Sequence, residues 1–132
     1  MQKLNKIMLI DDSEADNFIH KRIIEKSGIA KEIVVIFRAT EALTYLKNET
    51  RPELIFLDIN MPGMDGWEFL QEYEQLAEIH KAELVICMLT TSQSAIDREK
   101  AKQYGMIEHF MSKPLTKEKL LEIVRAHFSE AR

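Results

Sequence analysis

The chain has 132 residues, of which 45% are hydrophobic and 30% charged, with a formal net charge of -4. That suits one domain, expected over residues 1–132, and excludes a disordered chain. The acidic balance argues against nucleic acid, which needs a basic excess to displace phosphate counterions, and the longest apolar runs fall far below a membrane span.

The pattern opens with Ile7-Met8-Leu9-Ile10, read as a strand over 6–10. This run is too short for a signal-peptide core, and Asp11 and Asp12 follow it directly. Ser13, with Asp16 three residues on, can cap a helix over 14–27 that ends at Gly28. Ala15, Phe18, Ile19 and Ile23 fall on one face of that helix. A second apolar run predicts a strand over 33–37, followed by a helix over 40–48. The third strand is expected over 53–57, then a turn-rich segment, Met61-Pro62-Gly63-Met64-Asp65-Gly66. Asp65 with Glu68 starts a helix over 65–79, with Phe69, Leu70, Tyr73, Leu76 and Ala77 inward and Trp67 read as packing.

The fourth strand, 84–89, contains Cys87. A single cysteine rules out an internal disulfide, and its apolar setting predicts a buried, reduced thiol in a cytoplasmic protein. Ser94 and Asp97 open a helix over 94–104 that Gly105 can stop. A weaker strand over 107–111 and a helix over 117–129, with Leu120, Leu121, Val124 and Phe128 on one face, complete the chain. Three of the five apolar runs lack polar alternation, as strands buried on both faces do. Five β-α units joined by right-handed crossovers give a three-layer α/β fold with a parallel sheet.

In such sheets, ligands bind outside the carboxyl ends of the strands. Asp11 and Asp12 follow the first strand, Asp58 the third, Thr90 and Thr91 the fourth, and Ser112, Lys113 and Pro114 the fifth. The second strand ends with nothing comparable, which fits an outer position. Three carboxylates placed together repel each other unless a cation joins them, and hard oxygen donors suit Mg²⁺ or Mn²⁺. His20, His80, His109 and His127 show no ligand spacing, which argues against a soft-metal site. A magnesium shell often takes phosphate oxygen, and Lys113 and the hydroxyl of Thr90 suit the same anion. Asp58, alone at a central strand end, is the candidate nucleophile for an acyl phosphate.

At these residues the sequence resembles the receiver domain of two-component response regulators, the family of the chemotaxis response regulator, over about residues 5–129. The matching motifs are Ile10-Asp11-Asp12, the block from Leu57-Asp58-Ile59-Asn60 through Met61-Pro62-Gly63-Met64-Asp65-Gly66, Leu89-Thr90-Thr91-Ser92, and Lys113-Pro114-Leu115. The resemblance implies a flavodoxin-like, doubly wound sheet with strand order 2-1-3-4-5. It makes Asp58 the phosphoacceptor, Asp12 a direct magnesium ligand, Asp11 a ligand through water, and Asn60 the source of a backbone carbonyl ligand. It makes Thr90 the switch hydroxyl, with Thr91 as fallback, Lys113 the phosphate-pairing lysine, and Phe110 the aromatic switch. The peptide before Pro114 is expected to be cis.

Two features depart from the family pattern. The segment from Gly105 to Lys113 is one residue longer than usual, with Met106 after the glycine, and Ser13 stands where a third acid is often seen. With 19 residues after Lys113 (132 minus 113), no output domain is expected. The implied donor is a histidine kinase or histidine phosphotransfer protein. The implied output is a downstream protein docked on the fourth helix, fifth strand and fifth helix, or onward relay of the phosphoryl group. That surface holds Arg98, Lys100, Lys102, Lys117, Lys119 and Arg125 among acids. Monomer and homodimer both fit. A phosphatase of the haloacid dehalogenase type is disfavoured because Asn60 stands where that group resembles an acid. A phosphate-independent binding module is disfavoured by the intact acid set.

Overall fold

The apolar runs that begin at Ile7, Leu54 and Val85 form the three inner strands of the sheet, while the equally unbroken run from Ile33 lies at its edge. A computed structural model describes residues 3–76, 85–91, 94–105 and 107–128. Its elements are β1 (Leu4–Ile10), α1 (Glu14–Ser27), β2 (Ala30–Ile36), α2 (Ala39–Asn48), β3 (Leu54–Asp58), α3 (Gly66–Glu74), β4 (Val85–Thr90), α4 (Ala95–Gln103), β5 (Ile107–Ser112) and α5 (Lys117–Phe128). All strand pairs are parallel, in the order β2-β1-β3-β4-β5. The expected flavodoxin-like α/β class and strand order are therefore observed. Residues 77–80, which include His80, and Leu84, Ser92, Met106 and Ser129 lie outside the described residues.

Every residue of β3 and β4 is buried, whereas most of β2 and β5 is only half-buried, as edge strands are. β2 begins three residues earlier than expected, because Ala30 pairs with Leu4 while Lys31 and Glu32 face solvent at the edge. On one side of the sheet, Met8, Ile10, Ile55, Leu57, Ile86 and Met88 meet α2 and α3 through Leu46, Phe69, Leu70 and Tyr73. On the other, Ile7, Leu9, Phe56, Cys87 and Leu89 meet Ile24 of α1 and Leu120, Ile123 and Val124 of α5. Fully burying a side chain such as Phe56 or Phe69 is worth about 1.5–3 kcal/mol. Cys87 is buried within this second layer, and burial pushes its thiol pKa well up. No helix of the described residues is long and apolar enough to cross a membrane.

The helix starts follow the sequence signals. Ser13 and Ser94 accept from the backbone N–H groups of Asp16 and Asp97, and Asp65 forms a full capping box with Glu68. Gly28 caps α1 in the left-handed region at φ 68°. Gly105 is not used in that way: α4 ends on Tyr104, whose N–H reaches the Ala101 carbonyl, and no positive φ is needed there.

The face assigned to α1 is corrected by the structure. Phe18 is 62% exposed, Ile19 and Ala15 are also exposed, only Ile23 of that face packs half-buried on the core, and the buried residues are Asn17, His20 and Ile24. Polar anchoring outweighs the apolar stripe here. Asn17 Nδ2 donates to the Asp11 carbonyl at 2.8 Å, and this turns the polar face of the helix inward. In α5, Leu120 and Val124 are buried as expected. Ile123 is buried as well, and Leu121 and Phe128 are half-buried.

Candidate functional site

Strand ends converge where the sheet topology requires. β1 and β3 are neighbours, so Asp11 and Asp12 sit beside Asp58. One carboxylate oxygen from each of the three lies within 4.8 Å of the others. Asp11 and Asp58 are buried and Asp12 is exposed. Lys113, at the end of β5, reaches across. Its ammonium is 2.7 Å from Asp11 Oδ2 and 3.1 Å from Asp58 Oδ1. The Lys113 side chain is 8% exposed, so these pairs are largely shielded from solvent. The Lys113–Pro114 peptide is cis, as expected.

A third partner of Lys113 is Asp16, also at 2.7 Å. The sequence identifies Asp16 only as a first-turn acid of α1. Nothing in a single sequence signals that the first turn of α1 lies over the end of β5; the register of the folded sheet supplies that. The ion pair in turn holds the start of α1 against the site, and Asp11 Oδ1 accepts from the Ser13 N–H at 2.9 Å.

The electrostatics follow from this crowding. Burial, reinforced by the charge of Asp11, pushes the Asp58 carboxyl up to about 6, and Lys113 opposes the shift. Burial works against the charge on Lys113, but hydrogen bonds to Asp11 and Asp16 prevail and raise its pKa. The hydrogen bond from Lys113 holds Asp16 below its ordinary value. One ammonium pairs with three carboxylates and Asp12 adds a fourth to the cluster, which leaves a negative potential at the sheet edge. Three of those four offer clustered oxygen donors with no nitrogen or sulfur ligand among them. Such a donor set fits a hard divalent cation of the Mg²⁺ or Mn²⁺ type.

Thr90 ends β4, fully buried and in register with Ser112, and its carbonyl accepts from the Lys113 N–H at 2.8 Å. Thr91 is exposed beyond the strand. Asn60 lies two residues past Asp58 on the exposed loop into α3. That loop is tightly seated. Gly66 donates its N–H to the Ile59 carbonyl at 2.8 Å, and a Cβ on Gly66 would lie 2.6 Å from the Asp58 carbonyl oxygen. Only glycine permits this approach.

Phe110 is half-buried on β5 and packs with Ala101 and Tyr104 of the α4 segment. The pairing of β5 contains a register shift of the kind that accommodates one additional residue: Ile86 pairs with Ile107, but Cys87 pairs with His109, so Glu108 is passed over. From His109 to Ser112 the pairing is regular. Trp67, beside Gly66, links α3 to α4. Its Nε1 donates to Asp97 at 3.3 Å, its ring stacks on Tyr104 with centroids 5.7 Å apart, and Lys100 lies 5.6 Å above it.

Among the described residues, no group of three or more ligand side chains includes a histidine. The fold nevertheless places His109 and His127, 18 positions apart in sequence, in contact with each other.

Comparison with known proteins agrees with this geometry. Residues 7–125 match the response regulator receiver domain. The chain is 33% identical over 97 residues to the response regulator Rcp1 of Synechocystis, covering 69% of this chain and 65% of that protein. A two-component response regulator from Cytophaga hutchinsonii superposes with a TM-score of 0.88 at 29% identity, covering 95% of this chain and 97% of that one. The Mn²⁺-bound form of Rcp1 superposes with a TM-score of 0.74 at 25% identity, over 97% of this chain and 96% of that one.

Proposed function

Because the chain belongs to the response regulator receiver domain family, we propose that it is a phosphoacceptor switch in which Asp58 receives a phosphoryl group from a histidine kinase or a histidine phosphotransfer protein. The observation that carries this reading is the convergence of three strand ends. Asp11, Asp12 and Asp58 gather their oxygens while Lys113 bridges Asp11 and Asp58.

In the transfer, an Asp58 oxygen forms a bond to phosphorus as the bond from phosphorus to the donor imidazole nitrogen breaks. The departing nitrogen keeps the electron pair and takes a proton from solvent. Asp11, Asp12, Asp58 and the Asn60 backbone carbonyl are the groups that would hold Mg²⁺ or Mn²⁺, which when bound offsets negative charge on the transferring oxygens. Lys113 is already in place to pair with the new phosphoryl oxygens, since its ammonium stands 3.1 Å from the acceptor. Seating of the loop by Gly66 keeps the acceptor carboxylate fixed during attack.

The phosphorylated Asp58 carries extra charge and acceptor oxygens, which draw the Thr90 hydroxyl towards it. The space behind Thr90 is then filled by Phe110, and the population shifts between two arrangements of the α4–β5–α5 surface. A downstream protein reads that surface, or the phosphoryl group is relayed onward. On this reading the protein is cytoplasmic, and its only catalysis is its own phosphoryl acceptance and loss.

The test is incubation with acetyl phosphate and Mg²⁺, read by intact mass. The wild type gains one phosphoryl group that hydroxylamine removes, and Asp58→Asn gains none. Equal labelling of Asp58→Asn would overturn the assignment of the acceptor.

A further inference from the structure

In a regular strand, residues 107 and 109 would point to the same face. The register shift at Glu108 breaks that alternation. Ile107 and Phe110 both pack on the α3–α4 side, and Met111, two residues beyond His109, packs on the α1–α5 side. His109 therefore turns towards α5. There it meets His127, in the last turn of that helix. The two Nε2 atoms are 2.9 Å apart, and the rings meet edge to face with centroids 5.0 Å apart.

Two imidazole nitrogens bound to one tetrahedral zinc ion, each at roughly 2.0–2.1 Å, stand about 3.3 Å apart. A widening of about 0.4 Å turns the hydrogen-bonded pair into a chelate. We propose that His109 and His127 form a second cation site, suited to Zn²⁺, that ties β5 to α5. Imidazole suits this ion, whereas Mg²⁺ prefers the all-oxygen set of Asp11, Asp12 and Asp58, so ligand softness sorts the two sites. They are also apart in space. His127 borders Lys3, Leu4 and Asn5 at the start of β1, the opposite end of that strand from Asp11 and Asp12.

Without a metal, the two rings share one N–H···N hydrogen bond. When Zn²⁺ binds, the donor ring moves its proton to Nδ1 and both Nε2 lone pairs face the ion, so no proton is released overall. Burial, followed by the charge of His127, holds the His109 pKa below its ordinary value, which favours the uncharged ring a metal needs. Glu108 and Glu122 act on His109 with a field that favours a cation. Lys3, Lys31 and Glu53 line the groove that His127 borders. Water completes the coordination.

The experiment uses the full chain in saturating Mg²⁺, which occupies the aspartates, and titrates Zn²⁺ by calorimetry and by NMR of the histidine ring nitrogens. The expected result is a site at which the His109 and His127 Nε2 signals shift while those of buried His20 do not. His109→Gln and His127→Gln each weaken binding by roughly tenfold or more. The proposal is overturned if the wild type binds no Zn²⁺, if binding leaves both rings unshifted, or if both folded variants bind as tightly as the wild type. Should a variant not fold, the ring signals of the wild type decide the matter alone.

Discussion

At the carboxyl ends of β1 and β3, ionised side chains are buried and held: Asp11 and Asp58 lie within reach of Lys113, which also grips Asp16 on α1. At α4 the terms are reversed, since none of its residues is buried and Ile96 is 72% exposed. One region is fixed by shielded charge and by a backbone contact too close for a methyl group. The other rests on the Trp67–Asp97 hydrogen bond, the stack of Trp67 on Tyr104, and half-buried Ile107 and Phe110. Segments with little buried surface open and shift at low cost. The difference is what the proposed switch requires: an acid cluster that stays in place and a neighbouring edge that shifts at low cost.

That contrast can be broken first at Lys113. Lys113→Met leaves buried carboxylates without their counter-charge and costs about 3–5 kcal/mol, measured by urea unfolding in chelator-treated buffer. Added Mg²⁺ should recover part of the loss, because a cation partly replaces the ammonium. A result near zero would show that the site end is no more tightly held than α4.

Gly66→Ala comes next. Its Cβ would lie 2.6 Å from the Asp58 carbonyl oxygen, so the loop or α3 must shift, at about 1–3 kcal/mol. Acetyl phosphate labelling of this variant should slow as well, since the acceptor is displaced.

A pH series sharpens the picture. Asp58 binds its proton more tightly in the folded state, with a pKa of about 6, so the cation-free protein loses stability as pH rises from about 4 through 6. Asp58→Asn has no such proton to lose and should gain on the wild type across that window. Paired denaturation curves at the two ends of the window read the difference directly.

The smallest effect belongs to the other region. Ile96→Ala on α4 should change stability by no more than about 0.5 kcal/mol. Hydrogen exchange should show α4 amides opening well before those of β3.

The order and type of the ten elements were readable because each central strand is apolar on both faces and because Ser13, Asp65 and Ser94 mark helix starts through local chemistry. The strand-end residues were readable for the same reason: their position follows from where the runs stop. What sequence periodicity missed depends on contacts between distant segments. The apolar stripe of Phe18 and Ile19 gave the wrong inward face for α1, because Asn17 is drawn in by the Asp11 carbonyl, a bond no helical period encodes. Asp16 looked like a capping acid because its partner, Lys113, is 97 residues away. The extra residue before Lys113 was countable, but whether it would lengthen a loop or shift a strand register depended on pairing with β4.

Trp67 is the sole tryptophan of the chain. It stands one residue from the glycine seated against the Asp58 carbonyl, and its indole lies against Asp97, Lys100 and Tyr104. The molecule therefore contains its own optical gauge. Emission wavelength and quenching of this one fluorophore report the posture of the α4 segment, with no dye attached and no residue replaced.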